Sequence, residues 1–172
     1  MSSPLHPVLV HLPLGLAVIM PLISAGVLFA WFKGWLNLGA WAVVVVLQLA
    51  LAVGGFAALQ SGEQDEDAVE RVVPESAIEA HEEAAQVFVW VAAATLALSA
   101  AALVVPGERF KQGLALATVA GTLGVLGAGY VTGKKGGELV YAYNAGSVYS
   151  TPAVIQPTSH ETAGENRRDP ER

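Results

Sequence analysis

The chain has 172 residues, 53% of them hydrophobic and only 14% charged, with a formal net charge of −6 and no cysteine. The missing cysteines exclude disulfides, thiolate metal sites and cysteine nucleophiles, and the acidic balance speaks against a nucleic-acid partner. The charges gather in one central stretch and one C-terminal tail and leave four long runs free of Asp, Glu, Lys and Arg. Helices of a soluble domain would instead carry charge along their water-facing sides.

The start, Met1-Ser2-Ser3-Pro4, places no basic residue ahead of the first apolar run. That run is too long for the apolar core of a signal peptide, so it is read as a retained span. A helix needs about 20 apolar residues to cross the roughly 30 Å hydrocarbon layer. Four spans satisfy this, at about 8–32, 36–59, 84–105 and 112–132. Runs such as Ala42-Val43-Val44-Val45-Val46-Leu47 lack the alternation of a membrane β-strand. The expected fold is therefore all-α, an integral membrane four-helix bundle running up-down-up-down. Residues 1–149 form this domain, and the polar tail 150–172 is expected to be disordered.

Within the first span, His6-Pro7-Val8-Leu9-Val10-His11-Leu12-Pro13 opens the helix. Pro7 suits a first turn, while Pro13 and Pro21 each leave a carbonyl without its donor and predict kinks. Trp31, Trp35 and Trp41 flank the first hairpin, as an interfacial aromatic belt does. Gln48, in mid-span, is expected to hydrogen-bond a neighbouring helix. The connection 60–83 reads as a long acidic loop, with Glu63, Asp65, Glu66, Asp67, Glu70, Glu75, Glu79, Glu82 and Glu83 against a single Arg71. In the fourth span Ala120, Gly124 and Ala128 form a small-residue stripe of the kind that packs membrane helices closely.

Lys33, Arg109 and Lys111 lie on the short-loop face, and Arg71, Lys134 and Lys135 on the other. The basic count is a tie, and the expectation adopted is a bacterial inner-membrane protein with cytoplasmic short loops and the termini and acidic loop outside. Alternation of direction has a firmer consequence. One face collects His6 and His11, Glu63 and Asp67, His81 and Glu82, and Gly136-Gly137-Glu138 with Tyr141. Any polar site belongs there.

Two histidines five residues apart point roughly 140° away from each other on a regular helix, so His6 and His11 are not expected to share a metal. His11 and His81 lie at similar depth on parallel helices and could be the axial ligands of a b-type haem. A zinc or copper site would instead draw on His6, His11, His81, Glu82 and Glu138. A third reading keeps no cofactor and uses the histidines to hydrogen-bond kinked helix ends in a structural or accessory membrane subunit. His160, in the tail, is given no role. No nucleophile–base pair, phosphate-cradling loop or zinc-protease motif occurs, so no enzyme activity is expected. The expected partners are the lipid bilayer and a redox partner or membrane subunit.

With those segments identified, the chain resembles a bacterial membrane family known as domain of unknown function 2231. The matching pieces are His6-Pro7-Val8-Leu9-Val10-His11-Leu12-Pro13, similar to the family's HPxxVHxP opening; Ser61-Gly62-Glu63; His81-Glu82; and Gly136-Gly137-Glu138-Leu139-Val140-Tyr141, similar to its GGxLVY segment. The likeness covers about residues 4 to 148 and implies the same four-span topology and the same polar face. The association of such domains with redox and haem proteins is what the resemblance adds to the haem reading. Many members carry a histidine two residues after the GGxLVY tyrosine, where this chain has Tyr143, which implies one ligand fewer.

Overall fold

The computed structural model describes residues 5–149. They form five α-helices: α1 (His6–Leu9), α2 (His11–Phe32), α3 (Trp41–Val69), α4 (Glu75–Val104) and α5 (Glu108–Tyr141). There is no strand among the described residues. α1 and α2 together make the first membrane-length helix, and α3, α4 and α5 the other three. Each α2–α5 helix packs on its two neighbours in a closed ring, α2 on α3 and α5, and α4 on α3 and α5.

The turns follow from local chemistry. α2 ends at Gly34, whose φ of 71° is a left-handed conformation that side chains disfavour. The Gly34 amide bonds the Trp31 carbonyl and the Trp35 amide the Ala30 carbonyl, satisfying two of the last orphan carbonyls. Pro74 immediately precedes α4, and Gly107 (φ 92°) turns the chain into α5. Asn144 (φ 59°) follows the end of α5, and the short helix Ala145–Tyr149 then returns against α5 and α3.

α3 and α4 run further than the expected spans. The acidic stretch 60–83 is helical apart from residues 70–74, because Glu, Ala and Gln are good helix formers and no Gly or Pro interrupts residues 63–73. With 29, 30 and 34 residues, α3, α4 and α5 are roughly 45–50 Å long. They exceed the hydrocarbon thickness by about ten residues each, and the surplus carries the charges of the acidic end. The tail expected to be disordered lies outside the described residues.

α2 stays helical through Pro21, and the break falls instead at Val10, between α1 and α2. Pro13 is the third residue of α2, where a missing N–H costs little, and its ring forbids a continuous ladder back to Leu9.

The interior is more polar than the exterior. Ser24, Gln48, Thr95, Ser99, Thr118 and Thr122 are buried, while Val18, Leu22, Val46, Trp90, Leu116 and Leu123 face outward. Lipid chains are as apolar as leucine, so small and hydroxylated residues, which allow close approach, take the helix interfaces. The hydroxyls of Ser24, Thr95 and Thr118 bond carbonyls one turn back in their own helices. Gln48 donates to the Ala92 carbonyl of α4 (3.3 Å), the expected interhelical bond.

Two packing expectations are corrected. Trp41 is not part of a belt: it is fully buried, and its indole N–H donates to the Ser99 carbonyl at 3.1 Å. The tight stripe on α5 is not Ala120–Gly124–Ala128. Gly124 is exposed, and a Cβ there would only touch Val91 at 3.5 Å. A Cβ on Gly121 would instead meet Thr95 Oγ1 at 2.7 Å, and one on Gly129 would meet Phe88 at 3.3 Å.

Candidate functional site

The acidic end of the bundle holds the polar cluster. The short α1 turn carries His6 across to α3, where its Nδ1–H donates to the Ala58 carbonyl (2.8 Å) and contacts Ser61 Oγ (3.1 Å). Ser61 Oγ itself donates to Ala58 (2.7 Å). Because a carbonyl only accepts, Nδ1 bears the proton and the Nε2 lone pair of His6 stays uncommitted. The His6 ring rests beside Gly62, where a Cβ would lie in ordinary contact with it at 3.4 Å.

His81, on the second turn of α4, meets His6 edge-on, with ring centroids 6.1 Å apart and planes at 87°. Gly136 of α5 receives the other side of the ring, and a Cβ there would come within 3.0 Å of His81 Cε1. Among the described residues, Nδ1 of His81 is closed off from solvent and has no hydrogen-bond partner. A buried polar nitrogen without a partner is costly in a protein and asks for an explanation.

The two rings form a wall between two cavities. The larger, about 470 Å³, is lined by apolar side chains such as Leu59 and Ile78, with Glu63, Asp65, Glu66 and Glu82. Tyr149 from the returning segment also lines it. Burial first, and then the nearby Asp65 carboxylate, push the Tyr149 phenol above its usual pKa. The smaller cavity, about 340 Å³, shares His6, His81 and Gly136 and adds His11, Thr132 and Tyr141, with no acidic residue among the described residues of its lining.

The expected site residues are thus redistributed. His6, not His11, faces His81. The backbone keeps α-helical dihedrals through Val10, with bonds from the Val10 amide to His6 and from the Leu14 amide to Val10, so His6 and His11 lie on different sides of the helix, and His11 is exposed at the edge of the smaller cavity. Glu82 lines the larger cavity and accepts from Gln86. Glu138 turns outward to Lys134 at 3.8 Å. Among the described residues no three His, Asp or Glu side chains come together as a metal site, so the five-residue set His6, His11, His81, Glu82 and Glu138 is not assembled. Ser61, which orients His6, had no assigned role in the sequence, although it stands in the Ser61-Gly62-Glu63 motif.

Four long apolar helices with hydroxyl-lined interfaces define a multi-pass integral membrane protein. The chain belongs to the family described as predicted membrane protein (DUF2231), whose match covers residues 2–148. No curated protein and no solved structure matches it.

Proposed function

We propose that this protein is a membrane-embedded redox module that holds a b-type haem between His6 and His81. The observation carrying the proposal is the unpartnered, buried Nδ1 of His81 beside a His6 whose own Nδ1 is already engaged. Metal-bound histidines characteristically donate their other ring nitrogen to a carbonyl, which fixes tautomer and orientation. The His6–Ala58 bond does this before any ligand arrives. His6 and His81 are the residues that would hold the group, and their ring centroids stand 6.1 Å apart. The cavities on either side of the pair supply space for a flat ligand larger than the gap between the rings. A haem held by His6 and His81 would supply one-electron chemistry there. The chain contributes coordination, orientation and an apolar surround, and no substrate turnover is proposed. The module sits in a bacterial inner membrane with the histidine end outside, and its electron partner is a second redox protein or membrane subunit.

Visible spectroscopy of the detergent-purified protein from haem-replete cells tests the reading. A Soret band and a resolved α band on reduction are expected, both lost in His6→Ala and His81→Ala and both kept in His11→Ala. Loss with His11→Ala and retention with His6→Ala would restore the His11–His81 pairing. Protein without Soret absorption, yet less stable on His6→Ala, would instead favour a structural subunit in which His6 ties α1 to α3.

A further inference from the structure

The two cavities share a histidine wall and differ in charge. Four carboxylates, on Glu63, Asp65, Glu66 and Glu82, stand around the larger. The smaller has none among the described residues and is edged by His11, whose ring N–H is a donor in either tautomer. An anionic group placed in the larger cavity would meet like charges in partly apolar surroundings, where such repulsion is least screened. In the smaller cavity it would meet apolar walls such as Leu14, Phe88 and Val140 and, at the rim, the hydrogen-bonding imidazole of His11.

We infer that the smaller cavity is an anion-accepting subsite in which His11 binds the carboxylate edge of the ligand. Resting on the haem reading above, this assigns the haem's two propionates to the His11 side and its apolar edge to the larger cavity. His11 is then not an axial ligand but a specificity-determining contact. The carboxylates of the larger cavity exclude the reversed orientation, since discrimination between two poses is set as much by what is repelled as by what is attracted.

Haem and haem dimethyl ester differ only at the propionates, and titrating each into the apoprotein in detergent separates the possibilities. The intact protein is expected to bind the free acid about tenfold or more tightly than the ester, the scale of a charge-assisted hydrogen bond. In His11→Gln that preference should shrink through weaker binding of the acid, with the ester unaffected. His11→Lys should retain the preference, which guards against loss of fold as the cause. Glu63→Gln with Glu66→Gln should leave acid binding unweakened and allow a second haem orientation, visible as doubled haem-methyl NMR signals. Equal affinity for acid and ester in the intact protein, or equal weakening of both by His11→Gln, would overturn this inference and leave the haem reading standing. Failure of both porphyrins to bind would remove the haem reading, and this one with it.

Discussion

The middle of the bundle and its histidine end are built from the same four helices but packed by opposite rules. In the middle, Gly121 lets Thr95 reach the α5 backbone, Gly55 lets Phe88 reach the α3 backbone, and Trp41 is fully buried. At the histidine end the glycines also admit a side chain, but that side chain is an imidazole with open volume beside it. Close approach serves cohesion in one region and presentation of a nitrogen in the other. Glycine at a helix interface therefore tells little until its neighbour is known.

The sharpest way to break this contrast is to hollow out the middle. Trp41→Ala removes a fully buried indole and the partner of the Ser99 carbonyl, and should cost about 3–5 kcal/mol, read as a large fall in the detergent melting temperature. Gly121→Leu, which drives a side chain into Thr95, should cost about 1–3 kcal/mol. Gly124→Leu, pointing outward, should stay within about 0.5 kcal/mol of the parent. Equal losses from the two glycine changes would mean that the packing face of α5 is wrong.

At the other end, Ser61→Ala should destabilise by only about 0.5–1.5 kcal/mol, the net worth of a typical hydrogen bond. Gly136→Ala should cost little in stability, because the His81 ring can swing into free volume, yet it should alter or abolish any haem spectrum. An unchanged spectrum would show that His81 is not held by that contact. The smallest effect belongs to Gln48→Leu. It gives up a long bond to Ala92 and removes a buried carbonyl oxygen that has no partner, so its melting temperature should match or slightly exceed that of the parent.

Much of the fold was legible because lipid imposes a length and forbids charge, and four uncharged runs follow directly. The orientation of each helix about its own axis was not legible in the same way. When bilayer and core are equally apolar, hydrophobic periodicity disappears, and Ala120–Gly124–Ala128 reads as well as Gly121–Val125–Gly129. The hydroxyls hold the discriminating signal, since Thr118 and Thr122 mark the buried side of α5. Trp41 looked interfacial because it sits near a hairpin, but its buried neighbours come from the distant α4. The acidic stretch suggested a loop because charge was taken to mean irregular structure. The absence of Gly or Pro between residues 63 and 73, and Pro74 just before α4, marked helix ends more faithfully. The polar face and three of its histidines were found from alternation of direction alone. Which of His6 and His11 meets His81 was not legible, because it is set by the rotation of the first helix about its own axis.

His6 lies near the start of the chain, Ser61 and Gly62 late in α3, His81 early in α4 and Gly136 near the end of α5. In a nascent chain emerging into the bilayer the His6–Ala58 bond needs only α1 and α3, but His81 arrives with α4 and the Gly136 wall only with the fourth span. A partly inserted intermediate offers a lone imidazole and no enclosing walls. Closure of the cavity walls thus becomes the last event of biogenesis, and a chain truncated before α5 would lack the Gly136 surface against which His81 rests.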